Sequence, residues 1–294
     1  MSSIKSRNVS REDKNAIVGG TLYLVATPIG NLSDISERAL KVMSEVDFIA
    51  AEDTRNTGKL LAYFGIQKPM VSYFEHNKRE RGEVIAERLL NGESCALLTD
   101  AGTPAISDPG EDLVRLCAEK NIPVTGIPGC SAVVNALALS ALPTGRFCFE
   151  GFLSTNKNER FSRLEEIKAD RRTTVFYEAP HKLRKTLEDI MTVLGDRKIA
   201  LCRELTKLNE EIIRTTISGA ISIYTDTEPR GEYVLVVEGA SDEDISKDAF
   251  YASMSIAEHL KYYTDSGMSK MDATKAVAKD RGVAKSVIYK EINK

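Results

Sequence analysis

The stretch LLTDAGTPAISDPG, residues 97–110, sets the fold class of this chain. Together with Cys95 and Ala96 its start forms CALLT (95–99), an apolar run with the length of a buried strand. At Asp100 the run breaks into a loop crowded with Gly and Pro, and a helical pattern follows over 111–120. A strand over 123–126 and a helix over 131–141 continue the alternation. Strand, loop and helix in repetition predict an α/β unit with a largely parallel sheet.

Upstream the same rhythm holds. Residues 1–19 read as a flexible N-terminal arm. Thr21–Ala26 reads as a strand ended by Pro28-Ile29-Gly30-Asn31, with Ser33 as the expected N-cap of a helix carrying Ile35, Ala39, Leu40, Met43 and Val46. Strands are expected over 47–52 and 70–74, and helices over 54–64 and 79–90.

Downstream, Leu142-Pro143-Thr144-Gly145 is the expected hinge. Strands are expected at 147–151, 173–177, 199–203, 212–218 and 233–238, with helices at 158–169 and 182–194. Several of these strands adjoin without a helix between them, which predicts a mixed or antiparallel second sheet. After Gly239 a polar linker leads to short helices over 255–264, 270–280 and 285–292. The division expected is 20–143, 144–240 and a helical tail over 241–294.

Composition is that of an ordinary globular protein, 42% hydrophobic and 28% charged. The start is polar and lacks the apolar centre of a signal peptide, and the longest apolar stretch, 133–142, is too short to span a bilayer. A cytoplasmic location without membrane attachment is expected. Five cysteines at 95, 117, 130, 148 and 202 fit neither a disulfide framework nor a metal site. The net charge of −3 hides a gradient: residues 246–294 carry nine Lys/Arg against six Asp/Glu. A basic tail on an acidic body suits a partner with phosphates.

Ligands of open α/β sheets sit at the carboxyl ends of the strands. Here those ends lead into Thr27-Pro28-Ile29-Gly30-Asn31, Glu52-Asp53-Thr54-Arg55, Glu75-His76-Asn77, the 100–110 loop, Pro128-Gly129-Cys130-Ser131-Ala132 and Glu178-Ala179-Pro180-His181. Neither G-x-G-x-x-G nor a P-loop is present, so a ligand held by backbone groups and shape fits better than one cradled by its phosphates.

Six blocks in one order carry a resemblance: TLYLVATPIGNLSDISERA, AEDTRNTGKLL, LLTDAGTPAISDPG, GIPGCSAVVNAL, FYEAPHKL and GEYVLVVEG. Over roughly residues 21–239 they resemble the tetrapyrrole methylase superfamily, and within it the ribosomal small-subunit RNA cytidine 2′-O-methyltransferases. The tail is similar to that group's small terminal domain. The resemblance implies two α/β domains with S-adenosylmethionine folded into the cleft between them, and a homodimer. It implies cofactor contacts from Pro28, Ile29, Gly102, Thr103, Pro104, Ile106, Ser131, Ala132, Tyr177, Glu178 and Ala179, with backbone near Glu232 and Tyr233. The tetrapyrrole enzymes carry Gly-Asp-Pro where this chain has Gly102-Thr103-Pro104, and a Gly-Pro-Gly-Asp-like first loop. Both departures resemble the RNA branch and speak against a porphyrinoid substrate. The substrate implied is a cytidine of 16S RNA in the decoding region of the small ribosomal subunit; DNA and metal are not expected.

Candidate catalytic residues are Glu52, Asp53, Arg55 and His76. Asp53 and Arg55 fit equally an N-cap with a local ion pair, or Arg55 a phosphate clamp. His76 either touches substrate or is a solvated loop residue, and His181 reads as helix-terminal structure or site. Asp100, ending an apolar strand, is placed with the cofactor residues. His259 reads as structural or surface. Lys270, Lys275, Lys279, Arg281, Lys285 and Lys290 make the tail similar to a helix-turn-helix-like module able to touch phosphates. Two rivals remain: a methyltransferase for a small molecule or protein residue, and a non-catalytic cofactor-binding, ribosome-associated protein.

Overall fold

A computed structural model describes residues 15–244 and 251–292. Residues 1–14 of the expected arm lie outside the described residues. Its last five residues are tied down: Ile17 packs against the core and the Val18 N–H donates to Tyr23 Oη at 2.8 Å.

The first sheet is built from β1 (Leu22–Val25), β2 (Phe48–Ala51), β3 (Met70–Ser72), β4 (Cys95–Leu98) and β5 (Val124–Ile127). They run parallel in the order β3-β2-β4-β1-β5. Buried β2 and β4 read as unbroken apolar runs because both sheet faces are covered. On one face Leu22, Phe48, Ala50, Cys95 and Leu97 meet α3 (Lys78–Leu90) and α4 (Gly110–Glu119) through Ile85, Leu89, Leu113 and Cys117. On the other, Tyr23, Val25, Ile49, Ala51, Ala96 and Leu98 meet α1 (Glu37–Glu45) and α2 (Thr54–Tyr63) through Val42, Met43 and Leu61. Each large apolar side chain buried this way contributes about 1.5–3 kcal/mol.

This arrangement places a reversal at β4. The helices after β1 and β2 cover one face, and the helix after β4 covers the other. The chain therefore leaves β4 in the opposite sense from both of its neighbours, opening a crevice at its carboxyl end.

The second sheet contains β6 (Phe147–Phe152), β7 (Thr173–Glu178), β8 (Lys198–Arg203), β9 (Glu211–Thr216) and β10 (Tyr233–Val237), in the order β6-β7-β10-β8-β9. Only the β6–β7 pair is parallel, so the sheet is mixed. One face packs on α6 (Lys157–Ile167), α7 (Pro180–Leu194) and α8 (Ile217–Asp226). The other buries Val175, Ala200, Cys202, Val234 and Val236 against Val133, Ala136 and Leu137 of α5 (Ala132–Leu139). Thus the helix that follows β5 of the first sheet covers the second sheet. Arg214 Nη2 fastens it there by donating to the Leu139 carbonyl at 2.6 Å.

Two expectations are corrected. The first helix is capped by Ser36, not Ser33. Asn31 caps a single 3-10 turn over Leu32–Asp34, and Ile35 is extended before α1 begins. The region after β9 contains α8, where no helix was expected. Among the described residues the tail forms α9 (Ile256–Asp265), α10 (Lys270–Asp280) and α11 (Lys285–Ile292) around Leu260, Ala273, Val277 and Ile288.

Candidate active site

The carboxyl ends of β1, β2, β4, β5, β6, β7 and β8 border one chamber of about 590 Å3. Because β10 runs antiparallel to β7 and β8, its first residues arrive at the same place. This explains why Glu232 and Tyr233, at a strand start, join residues from strand ends.

The floor is a constrained loop. Gly102 and Thr27 exchange backbone hydrogen bonds of 2.9 and 3.0 Å, pinning the loop after β4 to the end of β1. Gly102 has φ +87°, a conformation that side chains with a Cβ rarely adopt. Ala105 and Ser107 are also left-handed, at φ 66° and 64°. Asp108 Oδ1 compensates by accepting from Ala105 N at 3.0 Å and Gly110 N at 2.7 Å. Non-glycine residues held in this region concentrate at ligand sites. Gly129 permits a second close approach: a Cβ there would lie 2.9 Å from that of Ala26. Thr103 Oγ1 then ties the floor to the neighbouring loop through the Cys130 carbonyl at 3.0 Å.

Ile29, Asp100, Gly102, Thr103, Ile106, Ser131, Ala132, Tyr177, Glu178, Ala179, Glu232 and Tyr233 all border this chamber. Pro28 does not. It borders an adjoining chamber of about 380 Å3 with Gly30, Asn56, Lys59, Tyr63, Thr99 and Asp100. Ser131 caps α5 by accepting from Val134 N. The aromatic wall is Tyr177, edge-on to Phe149 with ring centroids 5.0 Å apart, and burial pushes its phenol pKa up. Glu178 is buried and accepts from Ala179 N at 2.8 Å and Thr186 Oγ1 at 2.5 Å.

The four catalytic candidates separate. Glu52 borders the larger chamber and accepts from Thr99 Oγ1 at 2.8 Å. Asp53 instead caps α2 and holds Arg55 through contacts of 2.7 and 3.1 Å. Those bonds to Arg55 draw its carboxyl down to about 2. His76 is exposed, edge-on to Phe74, and borders neither chamber. His181, in the first turn of α7, does border the larger one.

Sequence reasoning missed Phe152, Cys202, Leu205, Lys207 and Val234. Lys207 is the most informative of these. Its Nζ donates to Glu204 Oε1 and Glu232 Oε2, each at 2.9 Å, and Glu204 also accepts from Glu232 N at 3.0 Å. Glu204 and Thr206 make that turn with φ 51° and 67°. No glycine or proline marks the turn, so the sequence offers no signal for it.

The larger chamber suits S-adenosylmethionine by its donor set. Ile29, Ile106, Ala132, Tyr177 and Leu205 provide apolar surface, while Glu52, Asp100, Asp108, Glu178 and Glu232 outnumber Lys207. An excess of carboxylates favours a cationic ligand over a phosphate-bearing one. Among the described residues no cluster of three or more metal-ligating side chains occurs.

The tail lysines 270, 275, 279, 285 and 290 are exposed, with Lys275 paired to Asp272 at 2.8 Å. Arg281 stands apart from them. Its guanidinium turns inward, donating to His259 Nδ1 at 3.1 Å and to the Met254 carbonyl at 2.6 Å. His259 itself is fully buried.

Residues 21–221 match the family of tetrapyrrole (corrin/porphyrin) methylases. The chain is 46% identical over 279 residues to the ribosomal RNA small subunit methyltransferase I of Halalkalibacterium halodurans, covering 95% of each chain. To the protein of that name from Bacillus subtilis it is 44% identical, with 92% and 93% covered. In fold it is similar to a Thermus thermophilus uroporphyrin-III-C-methyltransferase, with TM-score 0.52, 18% identity, and 74% of this chain and 94% of that one covered. A cobalt precorrin-4 methyltransferase has TM-score 0.54 at 16% identity, with the same coverage. The chain belongs to the tetrapyrrole methylase family, in the branch of the ribosomal RNA small subunit methyltransferase I proteins.

Proposed function

We propose that this enzyme transfers the methyl group of S-adenosylmethionine to the ribose 2′-hydroxyl of one cytidine in 16S RNA, in the decoding region of the small ribosomal subunit. The observation that carries this reading is the near full-length identity of 46% to a relative named for small-subunit RNA methylation. We place the protein in the cytoplasm as a homodimer; exposed Val134 and Phe147 are apolar surface that pairing would cover. Among the described residues no helix is long and apolar enough to cross a membrane. The division at 20–143, 144–240 and 241–294 is supported by the two sheets and the separate tail core, with α5 reaching across the first boundary.

When bound, the cofactor supplies a methyl on a positively charged sulfur. The chain's residues do the rest. The 102–108 loop, Ser131-Ala132 and Tyr177–Ala179 hold the donor side rigidly, and orientation of this kind can supply about 7–11 kcal/mol of rate acceleration. Asp100 borders both chambers, so its carboxylate stands where a hydroxyl presented from the smaller one would lose its proton. A base so placed adds roughly 10²–10⁴-fold. Exposed Lys270, Lys279 and Lys285 on the tail meet RNA phosphates.

The test is transfer of labelled methyl to small subunits purified from cells lacking the protein, with free 16S RNA and wild-type subunits alongside. Label on the deficient subunits alone, at one alkali-resistant linkage, is expected. Cofactor binding without label on any RNA would refute the reading and favour a small-molecule substrate or a non-catalytic role.

A further inference from the structure

The smaller chamber adjoins the larger one, and its position is specific. It lies in the crevice where the chain reverses at β4, between the loop after β1 and one side of α2, and shares Thr99 and Asp100 with the larger chamber. A ligand on each side would meet at Asp100.

Its chemistry differs from that of its neighbour. The charged side chains around it are Lys59 and the shared Asp100, one of each sign, whereas the larger chamber adds Glu52, Asp108, Glu178 and Glu232 against Lys207. Lys59 is exposed and makes no ion pair among the described residues. Asp100 is held by Asn56, whose Nδ2 donates to Oδ2 at 3.0 Å. Tyr63 ends α2, is 66% exposed, and stands perpendicular to the ring of Phe64 at a centroid separation of 4.9 Å. The core contacts of this turn are made by Leu61, with Leu60 partly buried against the same cluster. Nothing in the packing of α2 requires an aromatic ring at Tyr63.

Size narrows the occupant. At about 380 Å3 the chamber lies at the low end of small-molecule sites, which run to roughly 1,000 Å3. RNA bases are read when they leave the stack and lie on an aromatic face, with phosphate neutralised nearby.

We infer that this chamber is the acceptor site: it takes one unstacked nucleotide of the RNA, with the base on Tyr63, a phosphate at Lys59 and the ribose against Asp100. The inference rests on the RNA reading above. Tyr63 and Lys59 act on substrate affinity, and Asn56 is a positioning residue that fixes the Asp100 carboxylate.

The chain contains no tryptophan, so Tyr63→Trp introduces a single indole that preserves a stacking face. Small subunits from cells lacking the protein are the probe, with binding followed separately by co-sedimentation. Quenching of the indole on binding is expected. In methyl transfer, Tyr63→Ala raises the KM for subunits about tenfold or more, Tyr63→Phe restores it, and cofactor Kd by calorimetry stays within twofold. Subunit binding without quenching, or an unchanged KM for Tyr63→Ala in an active enzyme, overturns the acceptor site alone. Subunits that neither bind nor accept methyl from the wild-type chain overturn the RNA reading, and the inference with it.

Discussion

Thr99 Oγ1 donates a 2.8 Å hydrogen bond to Glu52 Oε2, joining the residues that immediately follow the neighbouring strands β4 and β2. The bond fixes one carboxylate oxygen against the sheet and orients the group along the rim of the larger chamber. Glutamine at this position keeps an acceptor for Thr99 and removes the charge. Glu52→Gln is expected to weaken S-adenosylmethionine about tenfold, roughly the 1.4 kcal/mol of one modest charge interaction, with little change in melting temperature. Calorimetry decides it, and an unchanged affinity would mean that the charge does not reach the cofactor.

Asp53, expected from the sequence among the catalytic residues, is proposed to yield that role to Asp100, expected among the cofactor residues. The carboxyl of Asp53, drawn down to about 2 by Arg55, is a poor proton acceptor at neutral pH. Asparagine can still cap α2. Asp53→Asn should therefore leave kcat within about threefold, whereas Asp100→Asn should lower it by at least roughly 10²-fold. Single-turnover methylation at saturating subunits distinguishes them. A collapse for Asp53→Asn with Asp100→Asn intact would reverse the assignment.

How much of this was legible follows from where local chemistry marks the chain. Loops after β1, β4 and β5 carry Gly and Pro because the backbone turns sharply there, so the place of Ile29, Gly102 and Ser131 on the chamber's border could be read from position at the strand ends. The turn at Glu204–Lys207 is made by non-glycine residues in the left-handed region, and its contribution to the cleft left no mark. Helix α8, ISGAISIYTD, contains β-branched residues, Ser and Gly of low helix propensity, and tertiary packing of Ile217, Ala220 and Tyr224 overrides that preference. Arg281 looked like one more basic residue of the tail because sequence does not reveal which way a guanidinium turns.

His259 makes the tail sensitive to pH. Its ring is fully buried, stacked on Tyr251 at 4.4 Å, and Asp280 Oδ2 lies 3.3 Å from Nε2. Arg281 donates to Nδ1, which requires the neutral ring with its proton on Nε2. Burial, followed by the Arg281 charge, holds the pKa below its ordinary 6.5. The unfolded tail therefore binds a proton first: stability is complete above about pH 6.5 and declines as pH falls toward the folded value, by at most about 1.4 kcal/mol per pH unit. Amide protection over α9–α11, corrected for intrinsic exchange, should fall between pH 7.5 and 5.5. Equal protection at both would show that the ring is not held neutral.

The basic residues of the tail should divide the same way. Lys270, Lys279 and Lys285 project into solvent, so alanine at each should spare the fold while removing one phosphate contact. Each loss should reduce the slope of log K against log salt by about one for subunit binding, and cofactor affinity should not change. Arg281→Ala removes instead the donor shared by His259 and the Met254 carbonyl in the tail's interior. Buried acceptors left without a charged donor cost about 1–3 kcal/mol. That substitution should therefore melt the tail and weaken subunit binding as strongly as deleting residues 241–294. If Arg281→Ala kept amide protection and changed only the salt slope, its side chain would be facing RNA. If the lysine variants bound subunits with wild-type salt dependence, the tail would be a structural appendage and the phosphate contacts would have to be sought on the two sheets.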